Sequence, residues 1–256
     1  MPVRDNLEKI EERIEKACIR SGRKRDEITL VGVTKFLPIE TVEEGYKAGI
    51  RQFGESRVQE AVLKYKTSKG SQVSSGIASP SEAGSFKEKY PDTTLHFIGP
   101  LQRNKVKHAV SLFDCVQSVD REDLVPELGK CTSAFCGAGN SGRGGPLQVL
   151  LEFRTGEDSK CGFTALDDLY RTVELALDYP LLGIGGLMTI APDTVEENIL
   201  RKAFRHMVKI QRELKVRFPA VSWSCLSMGM SNDFETAVEE GSTMLRIGSA
   251  IFGERN

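Results

Sequence analysis

Two periods of hydrophobicity alternate along the chain. Leu7, Ile10, Ile14, Ala17 and Cys18 recur at steps of three and four and predict an amphipathic helix ahead of the first strand. Residues 28–34 are then almost continuously apolar over a short run, the pattern of a strand covered on both faces. After Pro38, "IETVEEGYKAG" predicts a helix closed by Gly49. "RQFGE" reads as a second strand, and "SRVQEAVLKYK" opens on Ser56 with Gln59 three residues on, the spacing of a capping box.

The same beat continues through strands at 94–99, 113–119, 147–153, 181–190, 224–229 and 243–248, with helical segments between them. One long helix is predicted to start at Thr194, with Glu197 completing a second capping box. Val195, Ile199, Ala203, Met207, Ile210 and Leu214 would lie along its buried stripe. Eight strands separated by helices are the rhythm of βα units on a parallel sheet, and 256 residues suit an eightfold closure. The expected fold is therefore α/β, a (β/α)8 TIM barrel with an extra N-terminal helix. Segments 67–92 and 131–146 are rich in Ser, Gly and Pro without periodicity and are expected to be mobile surface loops. Neither separates two sets of strands that could each bury a core, so one domain over 1–256 is expected.

Composition narrows the function classes. Hydrophobic residues make up 39% and charged residues 28%, within the range of folded globular chains. The 35 Lys and Arg balance 36 Asp and Glu, so no whole-molecule field draws in nucleic acid or anionic lipid. The dense basic stretch at 20–25 reads as a solvated loop at a helix end. No apolar run reaches the roughly 18 residues of a membrane span, and "MPVRDNLEKI" is too charged for a secretory signal, so the expected location is the cytoplasm. Cys18, Cys115, Cys131, Cys136, Cys161 and Cys225 form no CxxC and have no histidines at ligand spacing, which argues against a metal site or a disulfide framework.

In such a barrel, chemistry gathers where strands end and βα loops begin. "TLVGVTKF" ends on Lys35, which strand alternation puts on the face of Val31 and Val33. At a barrel mouth a partly desolvated amine has a lowered pKa and attacks carbonyls; a lysine there can equally snorkel to water or pair with a carboxylate. Near the end of the chain, Ser227-Met228-Gly229-Met230-Ser231 and Gly248-Ser249-Ala250 are small-residue turns that each follow a strand and precede a helix. Such turns hold phosphates through backbone N–H groups, and they also occur as plain tight turns. Arg246, between Leu245 and Ile247, either forms a structural ion pair or faces a ligand beside Lys35. A lysine, a phosphate cradle and an inward arginine together point to an aldehyde-bearing phosphate, of which pyridoxal 5′-phosphate (PLP) is the common one.

The stretches "LVGVTKF", "FGESRVQE", "LHFIGPLQRNKVK", "GLMTIAP" and "LSMGMSNDFETAVEEGSTMLRIGSAIFGER" resemble the pyridoxal phosphate homeostasis protein family, barrels similar to the N-terminal domain of alanine racemase. They span nearly the whole chain. The resemblance implies that Lys35 holds PLP as a Schiff base and that the phosphate sits in the turns containing Ser227, Met228, Gly229, Gly248 and Ser249. It also implies that Arg246 contacts the pyridine nitrogen, where a guanidinium disfavours protonation and weakens the ring as an electron sink. The chain departs from the family pattern at Ser56 and Glu152, where asparagine is more usual; no role is assigned to His96 or Lys160.

The resemblance implies a protein that buffers PLP and releases it to PLP-dependent apoenzymes. The alternative is an amino-acid racemase, which needs acid and base groups on opposite faces of the substrate Cα. Alanine racemase takes its second group, a tyrosine, from a C-terminal β-domain across a dimer. This chain ends at Asn256, directly after the barrel, and none of its five tyrosines lies in a matching motif. A monomer that binds PLP without committed turnover is the expectation. A Schiff-base aldolase acting on a sugar phosphate would also use a barrel lysine and a phosphate loop, but nothing marks an acid or base partner near Lys35.

Overall fold

Eight parallel strands close into a barrel in chain order: β1 (Thr29–Val33), β2 (Gln52–Glu55), β3 (Thr94–Phe97), β4 (Cys115–Val119), β5 (Leu147–Glu152), β6 (Leu182–Met188), β7 (Cys225–Ser227) and β8 (Met244–Ile247). The computed structural model describes residues 2–66, 85–137 and 145–253. Helices α1 (Val3–Arg20), α2 (Ile39–Ala48), α3 (Val58–Lys66), α4 (Phe86–Lys89), α5 (Val106–Val110), α6 (Leu124–Gly137), α7 (Leu166–Leu177), α8 (Glu197–Arg217), α9 (Phe234–Glu239) and α10 (Ser249–Phe252) cover the outside. All eight strands lie where the apolar runs predict them, and the closed parallel barrel is the expected class.

Alternation along each strand sorts its side chains into two compartments. Phe53, Leu95, Phe97, Val116, Leu151, Leu187, Leu245 and Ile247 face outward and join the helices in the main core. Inside the barrel, Cys115, Leu150 and Met188 form a small apolar cluster, with polar side chains closer to the mouth. Helix α1 buries Val3, Leu7, Ile10, Ile14, Ala17 and Cys18, as the spacing predicts, and lies over the seam where β8 meets β1. Gly49 closes α2 at φ 117°, in the left-handed region that favours glycine.

Two helix starts differ from the sequence reading. Helix α3 begins at Val58, with Ala61 N–H donating to the Arg57 carbonyl, so Ser56 is not its cap. Instead the Ser56 backbone is pressed against Gly99, where an added Cβ would sit 2.2 Å from the Ser56 oxygen. Helix α8 begins at Glu197, and Thr194 Oγ1 accepts from Glu196 N–H at 3.1 Å, closing a turn short of the helix. The preceding loop is tied to Glu157, which accepts from Asp193 N–H at 2.8 Å. Val195 is consequently fully exposed and Ile199 is 41% exposed; the buried stripe is Leu200, Ala203, Phe204, Met207, Ile210 and Leu214.

The described parts of the two expected loops include helix. Within 67–92, residues 67–84 lie outside the described residues, but 85–92 contain α4, capped reciprocally by Ser85 and Glu88. Phe86 and Tyr90 are buried there in an aromatic group with Phe53, Tyr65 and Tyr46. Within 131–146, α6 continues to Gly137; the Ser133 hydroxyl donates back to the Gly129 carbonyl, so this serine is accommodated within the helix. Residues 138–144 lie outside the described residues. The basic stretch at 20–25 is a clasp rather than a solvated loop. Arg20 binds Glu239, Arg23 donates to the carbonyls of Val238 and Ser242, and Arg25 binds Glu11.

Candidate functional site at the barrel mouth

Strand β1 delivers Lys35 to the mouth. Thr34 faces outward, where its hydroxyl bonds Glu55 Oε1 at 2.8 Å and Tyr65 OH at 3.1 Å; Lys35 follows it, half-buried, in the turn just beyond β1. Val31 stands level with Arg246 on the neighbouring β8.

The turn carrying Lys35 is held by α3. Lys64 Nζ donates to the Thr34 carbonyl at 2.8 Å, to Glu55 Oε1 at 2.9 Å and to Glu60 Oε1 at 3.3 Å. Glu60 Oε1 in turn accepts from Phe36 N–H at 2.5 Å. Phe36 has φ 65°, a backbone region that a bulky residue occupies only when its surroundings enforce it. The Arg57 guanidinium stacks 4.6 Å over its ring. Glu55 is fully buried; burial raises its carboxyl pKa, and the Lys64 ammonium opposes that shift.

Across the mouth, β7 and β8 bring the two predicted turns together. Ser249 Oγ donates to Ser231 Oγ at 3.3 Å, and Arg246 N–H donates to the Gly229 carbonyl at 3.0 Å. Gly229 has φ 99°, and a Cβ there would lie 2.7 Å from that of Ala237. Gly248 caps α10, and Ser249 is exposed beside it. Met228 contributes differently: its side chain is in the outer core and its N–H donates to the Met244 carbonyl. The Ser227 hydroxyl is engaged inside the barrel, donating to Gln117 Oε1 at 2.6 Å and accepting from Arg246 Nη1 at 2.6 Å. Its donor and one lone pair are thus directed below the mouth.

Arg246 forms the floor of the site. It is 4% exposed, and its Nη2 donates to the Thr189 carbonyl at 2.8 Å. Burial lowers its pKa, while Glu152 and Asp233 oppose the shift. Glu152, one of the two departures from the resembled pattern, is buried at the end of β5, and its pKa is pushed up to about 7, first by burial and then by Asp120, with Arg246 opposing. The alternation signal reaches Arg246 but misses Gln117, Thr189 and the Glu55–Lys64 pair. A polar residue in phase with the inner face, as Gln117 is in "DCVQSV", was the available signal. His96 is a satisfied polar group, bonded to Gln52 and Gln117. Among the described residues, no group of His, Cys, Asp and Glu is arranged to hold a metal ion, and no helix is long and apolar enough to cross a membrane.

Comparison with known proteins agrees with this architecture. The family model described as alanine racemase, N-terminal domain, matches residues 5–256. The pyridoxal phosphate homeostasis protein of Vibrio cholerae is 36% identical over 257 residues, covering 99% of this chain and 97% of that protein. The solved structure of PipY from Synechococcus elongatus PCC7942 with PLP bound has a TM-score of 0.72 at 31% identity, covering 95% of this chain and 100% of that one. An alanine racemase of Clostridium difficile 630 shares the fold, with a TM-score of 0.68 at 13% identity, covering 99% of this chain and 57% of that one. The chain therefore belongs to the alanine racemase N-terminal domain family and, within it, to the pyridoxal phosphate homeostasis proteins.

Proposed function

We propose that this protein binds PLP covalently through Lys35 and serves intracellular PLP homeostasis, holding the cofactor and releasing it without committed turnover. The residues present fit the group: a half-buried lysine in the turn just beyond β1, a buried guanidinium on the adjacent β8, and a glycine at φ 99° beside two serine hydroxyls. The observation that supports the reading is the register of β1 with β8, Val31 level with Arg246, because it brings the strand that leads into Lys35 beside the strand that carries Arg246. PLP supplies an aldehyde that condenses reversibly with a primary amine, releasing one water.

Each side chain then has a separable task. Lys35 is the amine, and the clamp from Lys64 and Glu60 fixes its turn. Gly229, Gly248 and Ser249 would hold the phosphate, with Ser227 and Met228 bracing their turns through their hydrogen bonds. Arg246, a permanent cation, would lie toward the ring and would disfavour a proton on its nitrogen. That placement supports storage over carbanion chemistry and ranks the racemase reading second. On this reading the chain acts as one domain over 1–256, as a cytoplasmic monomer, with PLP-dependent apoenzymes as recipients. Its six free cysteines suit a reducing compartment.

The test is spectroscopic. Purified protein mixed with PLP should develop a visible band, and borohydride reduction should remove that band and leave the added mass on Lys35. Lys35→Ala should bind no PLP covalently yet unfold as cooperatively as the wild type. A label on another lysine would overturn the assignment, and sustained formation of D-amino acids from L-isomers by the loaded protein would overturn the homeostasis reading in favour of the racemase.

A further inference from the structure

A line of hydrogen bonds crosses the barrel interior beneath the mouth. Arg246 on β8 donates to Ser227 Oγ on β7 at 2.6 Å, and Ser227 donates to Gln117 Oε1 on β4 at 2.6 Å. Gln117 Nε2 lies 2.9 Å from His96 Nδ1 on β3, and His96 Nε2 lies 2.7 Å from Gln52 Oε1 on β2. We propose that Gln117 and His96 are positioning residues that act through Ser227 to fix the orientation of the Arg246 guanidinium. The inference rests on the reading above, in which Arg246 faces the cofactor ring.

The direction of every bond follows from its first member. A guanidinium has donors only, so Ser227 must accept from Arg246 and pass its own hydrogen to Gln117 Oε1. The Gln117 amide then faces His96 with its NH2 group, whose other hydrogen goes to Met244 Sδ at 3.2 Å; a flipped amide would lose the Met244 contact and leave the Ser227 O–H without its acceptor. His96 Nδ1 must accept, which leaves the imidazole proton on Nε2, donated to Gln52. One permanent cation therefore sets a histidine tautomer three residues away along the line. A protonated imidazole would oppose N–H to N–H at Gln117. Burial agrees with that requirement, lowering the His96 pKa to about 4. Glu152, Asp233 and Cys225 are the titratable groups acting on Arg246, and Asp114 is the one acting on His96.

With Ser227 holding Nη1 and the Thr189 carbonyl holding Nη2, the guanidinium cannot rotate without breaking a buried hydrogen bond. Removing Gln117 would free the Ser227 hydroxyl to turn and would loosen the first of these two anchors. The Gln117→Glu substitution keeps an acceptor for Ser227 but presents a second acceptor to His96, which must then carry a proton on Nδ1.

The experiment combines nitrogen NMR of the apo-protein, labelled at histidine and arginine, with PLP titration. Wild-type His96 should carry its proton on Nε2 at neutral pH, and the Arg246 terminal nitrogens should give separate signals. In Gln117→Leu those signals should average, and PLP affinity should fall about tenfold, the effect of one hydrogen bond. Gln117→Glu should recover PLP affinity to within about threefold while placing a proton on His96 Nδ1. A merely structural role would lower the melting temperature of both variants and leave the Arg246 signals alone. A wild-type His96 proton on Nδ1 overturns the proposal, as does a folded Gln117→Leu with unchanged PLP affinity and Arg246 spectrum. Should that variant not fold, the wild-type tautomer and His96→Leu, one link further from Arg246, decide the matter by the same criteria. A wild-type protein that takes up no PLP would refute the cofactor reading, with the apo-protein spectra still judging the hydrogen-bond line.

Discussion

Lys64 Nζ donates to the Thr34 carbonyl at 2.8 Å, one residue before Lys35, while its charge neutralises Glu55 at 2.9 Å. A single ammonium thus shapes the turn that presents another. Both members of the pair are nearly or fully buried, and Glu55 has further donors in Thr34 and Tyr65. Removing one partner from such a pair leaves an uncompensated buried charge. Lys64→Met should therefore destabilise the protein by about 3–5 kcal/mol in urea unfolding, and adding Glu55→Gln should recover part of the loss. A Lys64→Met variant as stable as the wild type would show that the pair is not desolvated in solution.

Glu152 and His96 should tilt the pH dependence of stability in opposite directions. The Glu152 carboxyl is raised from 4.5 to about 7, so the folded protein holds that proton more tightly than the unfolded chain. Its contribution is fully present below pH 4.5 and is lost as pH rises through 7. His96 is lowered from 6.5 to about 4, so the unfolded chain protonates first and stability falls as pH drops from 6.5 toward 4. Between about 4.5 and 6.5 the two partly cancel. Glu152→Gln should be more stable than the wild type above pH 7, by on the order of 3 kcal/mol, with the gap closing near pH 4.5. Parallel stability curves for the two proteins would refute the assignment.

Gly229→Ala should harm both fold and binding. The residue is at φ 99°, and the new methyl would lie 2.7 Å from Ala237 Cβ and 2.9 Å from Leu245 Cδ2. Backbone strain and overpacking together predict a loss of about 2–4 kcal/mol. Because its carbonyl accepts from Arg246 N–H, the shift should also weaken PLP binding, read by titrating absorbance.

The arginines that meet the end of α9 should show a salt-dependent hierarchy. Arg201 reaches Glu197, Glu239 and Glu240 from a largely buried position, whereas Arg20, about half exposed, reaches Glu239 alone. Arg201→Ala is expected to cost about 2 kcal/mol and Arg20→Ala under about 1 kcal/mol, both measured by thermal unfolding. The Arg20 effect should fade at 1 M salt.

How far the sequence is legible depends on whether a signal is local. Strands covered on both faces announce themselves as short apolar runs, and all eight were found; α1 was equally plain from its stripe. Helix starts were not, because Thr194 and Ser56 satisfy a local cap pattern while the distant partners Glu157 and Gly99 decide where the backbone goes. At the site, Lys35, Arg246 and the glycine turns stand out by type and position. Gln117 and Lys64 do not: each resembles an ordinary polar residue until barrel closure brings Ser227 to one and α3 packing brings the Thr34 carbonyl to the other.

The seam between β8 and β1 sets a schedule for biosynthesis. Asn6 donates to the Ile251 carbonyl at 3.0 Å, Arg20 meets Glu239, and β1 takes its second neighbour from the last strand. A ribosome releases α1 and β1 first, but their partners emerge more than 200 residues later, when translation of this stretch is all but done. Until then the opening strand has one bare edge and α1 lacks the cover that α9 and α10 will give its apolar stripe, the kind of surface on which chaperones act.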